Sequence, residues 1–159
     1  MTDHEFQGIA MDLARAAGEA GEVPIGAVVV RDGVVIGRGR NRMEELRDAT
    51  AHAEMFALRE AFALSGSWRL DGCELYATLE PCPMCAGAIL HSRIARVVYG
   101  APDHRLGACR THWAILERNP IGRDVRVVDG VLAEESAELL RAFFRGLREG
   151  SRPRSADRL

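Results

Sequence analysis

Phe6, Ile9, Leu13 and Ala17 recur at helical spacing with Asp12, Arg15 and Glu19 between them, which predicts an amphipathic helix ending near residues 18–21. The β-branched run at 24–30 then reads as a buried strand. Asp32-Gly33 makes a tight hairpin turn, and residues 34–37 return as a second strand. Gly37, Gly39 and Arg40-Asn41-Arg42 mark the exit into a loop. A second helix is predicted over about 51–64, with Thr50 as its cap, because Met55 to Ala61 are strong helix formers without Gly or Pro. Ser65-Gly66-Ser67 stops it. Residues 74–78 form a third strand, an apolar helix runs from Met84 to near His91, and residues 94–100 form a fourth strand. A loop follows at 101–107, then a short helix at 111–118, a fifth strand at 125–128 and a turn at Asp129-Gly130. The last helix, 134–148, carries Leu140, Phe143, Phe144 and Leu147 on its apolar stripe. Strands separated by helices imply parallel crossovers, so the helices beginning near residues 51 and 83 start at one edge of the sheet.

At 159 residues the chain is long enough for one domain with its own core, taken as residues 1–150, followed by a polar tail at 151–159 that is expected to fray. An apolar share of 47% beside 28% charged residues is ordinary for a soluble globular protein. The acidic N-terminus lacks the apolar segment of a signal peptide, and no run approaches membrane-spanning length. Four cysteines do not resemble a disulfide framework, and a reducing cytoplasmic setting is expected. The net charge of −2 excludes a chain that is basic throughout. Every basic residue is Arg, however, and residues 141–159 hold six of them against Glu149 and Asp157. That end suits either a phosphate backbone or a solvated helix face.

The chemistry concentrates in Thr50-Ala51-His52-Ala53-Glu54 and Glu80-Pro81-Cys82-Pro83-Met84-Cys85. Imidazole and thiolate are zinc ligands, and two cysteines three positions apart can grip one ion from a single turn. His52, Cys82 and Cys85 make three ligands, which leaves a fourth position for water, the arrangement of a catalytic zinc. Glu54 is then the nearest proton carrier. Positions two apart do not share a helix face, so His52 and Glu54 can serve one pocket only if the ion lies off the first turn of a helix. A closed structural site would instead need a fourth ligand from Cys73, His91, Cys109 or His112, and a redox dithiol would leave His52 and Glu54 unexplained.

His-x-Glu followed by Pro-Cys-x-x-Cys resembles the signature of zinc-dependent nucleobase deaminases. From the first helix to about Leu147 the chain resembles the bacterial tRNA-specific adenosine deaminases of the cytidine deaminase-like superfamily. Residues 22–27, Asn41-Arg42, residues 79–87, His91-Ser92-Arg93-Ile94, residues 130–135 and Phe143-Phe144-Arg145 carry the likeness. The His-Ser-Arg-Ile and Phe-Phe-Arg segments point to the tRNA branch.

This resemblance implies a three-layer α/β/α fold with a mixed five-stranded sheet, working as a homodimer with one zinc per chain. His52, Cys82 and Cys85 would hold the zinc and Glu54 would move the proton. Asn41 would meet a flipped base with Ile25 and Ala53 beside it, and Asp103 would lie near the ribose. The implied reaction converts adenosine to inosine at the anticodon wobble position of tRNA. The alternative is deamination of a free base or nucleoside, such as guanine or cytosine, on the same zinc core. Two segments depart from the family pattern. Cys109-Arg110-Thr111 stands where a small residue and Gly-Ser are common, and Gly122-Arg123 stands where many members carry Asn-His. Arg110 and Arg123 are therefore either replacement phosphate contacts or signs of a different ligand.

Overall fold

Five strands, β1 (Gly26–Arg31), β2 (Val34–Arg40), β3 (Glu74–Leu79), β4 (Arg96–Ala101) and β5 (Arg126–Val128), form one sheet in the order β2-β1-β3-β4-β5 in a computed structural model that describes residues 1–150. The tail at 151–159 lies outside the described residues. β1 runs antiparallel to both neighbours, whereas β3, β4 and β5 pair in parallel, so every strand except β1 points the same way. The mixed five-stranded sheet is as expected. α1 (Asp3–Glu19) and α5 (Ala133–Arg148) cover one face, and α3 (Ala53–Ser65) and α4 (Pro83–His91) cover the other.

Period-2 alternation separates the two cores. Val28, Val30, Tyr76 and Val98 turn toward Phe6 on the α1 side. Ala27, Val29, Leu75, Ala77 and Val97 turn toward Ala57, Leu58 and Ile89 on the other. α1 opens with a capping box in which Thr2 and Glu5 satisfy each other's backbone amides. Its first residue, Asp3, pairs with Arg96, which also grips Glu74, so the start of α1 is tied to the starts of β3 and β4.

α3 is placed by bare backbone. A register shift between Val29 and Val30 leaves Ile36 as an extra residue in β2, and Ile36 and Gly37 both meet the α3 side. A Cβ on Gly37 would strike the Ala57 carbonyl, and one on Gly39 would strike the Ala53 carbonyl. α3 therefore rests directly on the β2 main chain, with its first turn fixed beside Gly39.

Three local expectations are corrected. His52, not Thr50, is the N-cap of α3, because the Thr50 hydroxyl and amide both bond to Asp48. The loop after β2 contains a short helix, α2 (Met43–Leu46), whose Glu44 and Glu45 amides donate to the buried Glu22 carboxylate. Residues 111–118 form turns instead of a helix, since the His112 amide donates to the Gly107 carbonyl and the Ile115 amide to the Ala108 carbonyl, neither of them the i−4 partner of an α-helix. No helix among the described residues is long and apolar enough to cross a membrane.

Gly39→Ala is expected to lower stability by about 1–3 kcal/mol through overpacking at the α3 start. Urea unfolding measures it, and an unchanged midpoint would contradict the direct backbone contact.

Candidate active site

The carboxyl ends of β2 and β3 lie on one sheet edge, and α3 and α4 begin there. His52 is the N-cap of α3, Cys82 is the N-cap of α4, and Pro83 opens that helix with the fixed φ its first position favours. Neither N-cap side chain caps its own helix. Both are turned to each other instead. His52 Nδ1 lies 3.6 Å from Cys82 Sγ and 3.5 Å from Cys85 Sγ.

These separations fit zinc. Bonds of about 2.3 Å to sulfur and 2.0–2.1 Å to nitrogen at a tetrahedral angle separate the two ligand atoms by about 3.6 Å. The three ligand atoms all lie within 4.8 Å of one another, and among the described residues no fourth His, Cys, Asp or Glu joins the group. The donor set is thus the open, three-ligand kind, and Cys73, Cys109, His91 and His112 stand outside it.

The electrostatics favour a cation. A hydrogen bond from Cys85 lowers the Cys82 thiol to about 4, despite burial and with help from His52. The same sulfur–sulfur hydrogen bond, with burial, pushes Cys85 upward, so without an ion the pair holds one thiolate readily and resists a second. A divalent cation would remove that conflict by binding both as thiolates. The N-terminus of α4 adds partial positive charge at the sulfurs. His52 is raised by its bond to Cys82. Glu54, in the first turn of α3, is 4% exposed, and burial raises its carboxyl pKa. A bound cation would draw it back down.

These groups open into a cavity of about 400 Å³. Ile25, Asn41, Ala53 and Asp103, the residues singled out as substrate contacts, all line it with His52, Glu54 and Cys82. Asn41 is 3% exposed, donates to the Val23 carbonyl at 3.2 Å and accepts from the Met43 amide at 3.2 Å. One amide hydrogen and one lone pair are left for a ligand. Asp103 Oδ1 accepts the Arg105 and Leu106 amides, which leaves Oδ2 for a partner.

Two features of the site escaped the sequence reading. Glu80, 2% exposed, accepts the Asp103, Cys109, Arg110 and Thr111 amides and the Thr111 hydroxyl, and so fixes the loop forming one wall of the cavity. Burial pushes its carboxyl up, but these bonds outweigh burial and hold it below the usual range. Its place immediately ahead of Pro81-Cys82 was the available signal. The second is the α5 wall, where Leu140 and Phe144 line the cavity and only Phe143 of the expected stripe is fully buried. Arg110 is not free for phosphate. It bonds to Glu117 and the Val127 carbonyl and pairs with Asp129, clasping the loop to β5.

Residues 1–101 match the family described as the cytidine and deoxycytidylate deaminase zinc-binding region. A tRNA-specific adenosine deaminase of Bacillus subtilis is 46% identical over 147 residues, 92% of this chain and 91% of that protein. The chain belongs to the tRNA-specific adenosine deaminase family. Among solved structures, one from studies of A-to-I editing by tRNA:A34 deaminases at the wobble position is similar at TM-score 0.81 and 47% identity, covering 86% of this chain and 99% of that one. Guanine deaminase from Nitrosomonas europaea is similar at TM-score 0.74 and 29% identity, covering 88% and 83%. As a member of this family the chain is a zinc-dependent hydrolytic deaminase.

Zinc bound to the folded state raises stability by mass action. Removing it with a chelator should lower the thermal midpoint, and Cys82→Ser should purify with much less than one zinc per chain by elemental mass spectrometry. Full occupancy in that variant would disprove the ligand set.

Proposed function

We propose that the chain converts adenosine to inosine at the wobble position of a tRNA anticodon, working as a homodimer in the cytoplasm. The observation that carries this reading is the near-full-length likeness, at 47% identity, to a tRNA:A34 deaminase structure. An unpaired loop base costs least to extrude, and the cavity is sized for a single nucleoside-like ligand.

His52, Cys82 and Cys85 would hold zinc, whose Lewis acidity would let a water ionise near neutral pH. Glu54 accepts the proton the water gives up as the water oxygen bonds to C6, and delivers it to adenine N1. It then takes the proton of the C6 hydroxyl so formed and passes it to the amine, so that the C6–N bond breaks, ammonia leaves and the carbonyl of inosine remains. Burial keeps the Glu54 carboxyl away from bulk water and raises its proton affinity, a rise that a bound cation would offset. Asn41 offers its remaining donor and acceptor to the base edge, Ile25 and Ala53 pack the ring, and Asp103 receives a ribose hydroxyl through Oδ2.

The likeness to guanine deaminase supports a second reading, deamination of a free base or nucleoside. The two separate in one assay. Zinc-loaded protein is incubated with an anticodon stem-loop carrying a wobble adenosine, and in parallel with free adenine, adenosine, guanine, cytosine and cytidine. Mass spectrometry of the nucleoside digest should find inosine from the stem-loop alone. Conversion of a free compound with the stem-loop untouched would establish the second reading.

Glu54→Ala should retain zinc and lose at least about 100-fold in kcat, the lower range of general acid–base contributions. Turnover at the parent rate would remove Glu54 from the reaction.

A further inference from the structure

A second concavity, lined by Arg38, Arg40, Arg42, Phe56 and Arg59, lies on the β2 edge of the sheet. Its lining residues neighbour those of the active-site cavity along the chain at two points. Arg40 and Arg42 flank Asn41, and Phe56 follows Ala53 by one turn of α3. Because Gly39 has no side chain, α3 reaches the strand and brings Phe56 and Arg59 up to the arginines of the edge.

Four guanidiniums share this groove with the carboxylate of Glu60. Arg42 is held by Glu45 at 2.8 Å, and its guanidinium carbon lies 5.3 Å from the centre of the Phe56 ring. Arg59 lies 5.8 Å from that ring centre on a second approach. Arg38 and Arg59 are exposed and form no ion pair among the described residues. Arg40 reaches Glu45 only at 3.8 Å, and its Nη1 is buried without a hydrogen-bond partner. Arginine forks with unsatisfied donors, arranged around one aromatic ring on a chain that is acidic overall, match a phosphodiester strand better than an acidic peptide or a metal.

We propose that this groove binds the phosphate backbone of the RNA strand that runs from the deaminated nucleotide, with Arg38 and Arg59 as its principal phosphate contacts. The proposal rests on the RNA reading of the active site and adds a track for the strand outside the cavity. Along α3, six residues separate Ala53 from Arg59, about 9 Å at the helical rise, a distance one or two nucleotides can span.

The test is the salt dependence of kcat/KM for the zinc-loaded protein on the wobble-adenosine stem-loop. Each phosphate contact on single-stranded nucleic acid adds about 0.7 to the slope of log affinity against log salt. Arg38→Gln with Arg59→Gln should make the slope shallower by about 1.4 and raise KM severalfold at moderate salt, with kcat less affected. A charge-matched control, Arg15→Gln with Arg126→Gln, alters exposed arginines elsewhere and should keep the parent slope. Arg38→Lys with Arg59→Lys retains both charges and should restore most of the slope. Thermal melts of each variant verify folding. Equal slopes for parent and groove variant would overturn the proposal and leave these arginines as charges that blunt an exposed strand edge. Equal loss in groove variant and control would overturn it as well, by showing only a net-charge effect. If the parent protein does not deaminate the stem-loop at all, the RNA reading fails and the groove proposal falls with it; stem-loop turnover with an unaltered slope removes the groove alone.

Discussion

The contact between α3 and the naked backbone of β2 governs the placement of everything chemical in this protein. Gly37 and Gly39 admit the Ala57 and Ala53 carbonyls where any side chain would hold them off. Interiors are packed too tightly to absorb such a displacement without cost. His52 sits one residue ahead of Ala53, so its distance from the α4 sulfurs is set by that packing. The 3.5 and 3.6 Å spacings are accordingly a result of core packing as much as of ligand chemistry.

Charge is handled in two different ways within one small region. Glu22 and Glu80 are buried carboxylates that accept main-chain amides, and they act as fasteners for the short α2 and for the loop after β4; Glu80 alone collects a full set of donors. Glu54 is buried at the cavity without such a set of donors, and its proton affinity rises. A carboxylate that is fully bonded keeps its charge and its place, whereas one left short of donors can take up a proton. The contrast between Glu80 and Glu54 thus separates scaffold from chemistry by environment alone.

Much of this was legible in the chain. Apolar runs, helix formers and helical spacing located all five strands and the four long helices, although β2 continues to Arg40, past the residues 34–37 expected. His52, Cys82 and Cys85 could be read because metal ligands are few in kind and their spacing is local. The Thr2-to-Glu5 capping box was also readable but went unremarked. What could not be read depends on contacts distant in sequence. Glu80 bonds to residues 23 to 31 positions away, and its place ahead of Pro81-Cys82 marks it as part of the site without showing which amides it collects. The turns at 111–118 carry helical composition but lose their helix because the Ile115 amide reaches the Ala108 carbonyl instead of that of Thr111. Phe144 fits an apolar stripe by spacing, yet it stays exposed on the cavity wall while its neighbour Phe143 is buried.

Glu80 holds its loop almost wholly through main-chain N–H groups, and the identity of a side chain does not alter a main-chain donor. Apart from Gly107, where a Cβ would collide with the Glu80 carboxylate, the Thr111 hydroxyl and the Arg110 clasp, the grip on the loop is indifferent to sequence. Such a wall can accumulate substitutions, including Cys109 and Arg110 in this chain, while the zinc ligands next to it stay in register. Divergence in what these enzymes accept can therefore proceed by small steps, each leaving the reaction centre intact.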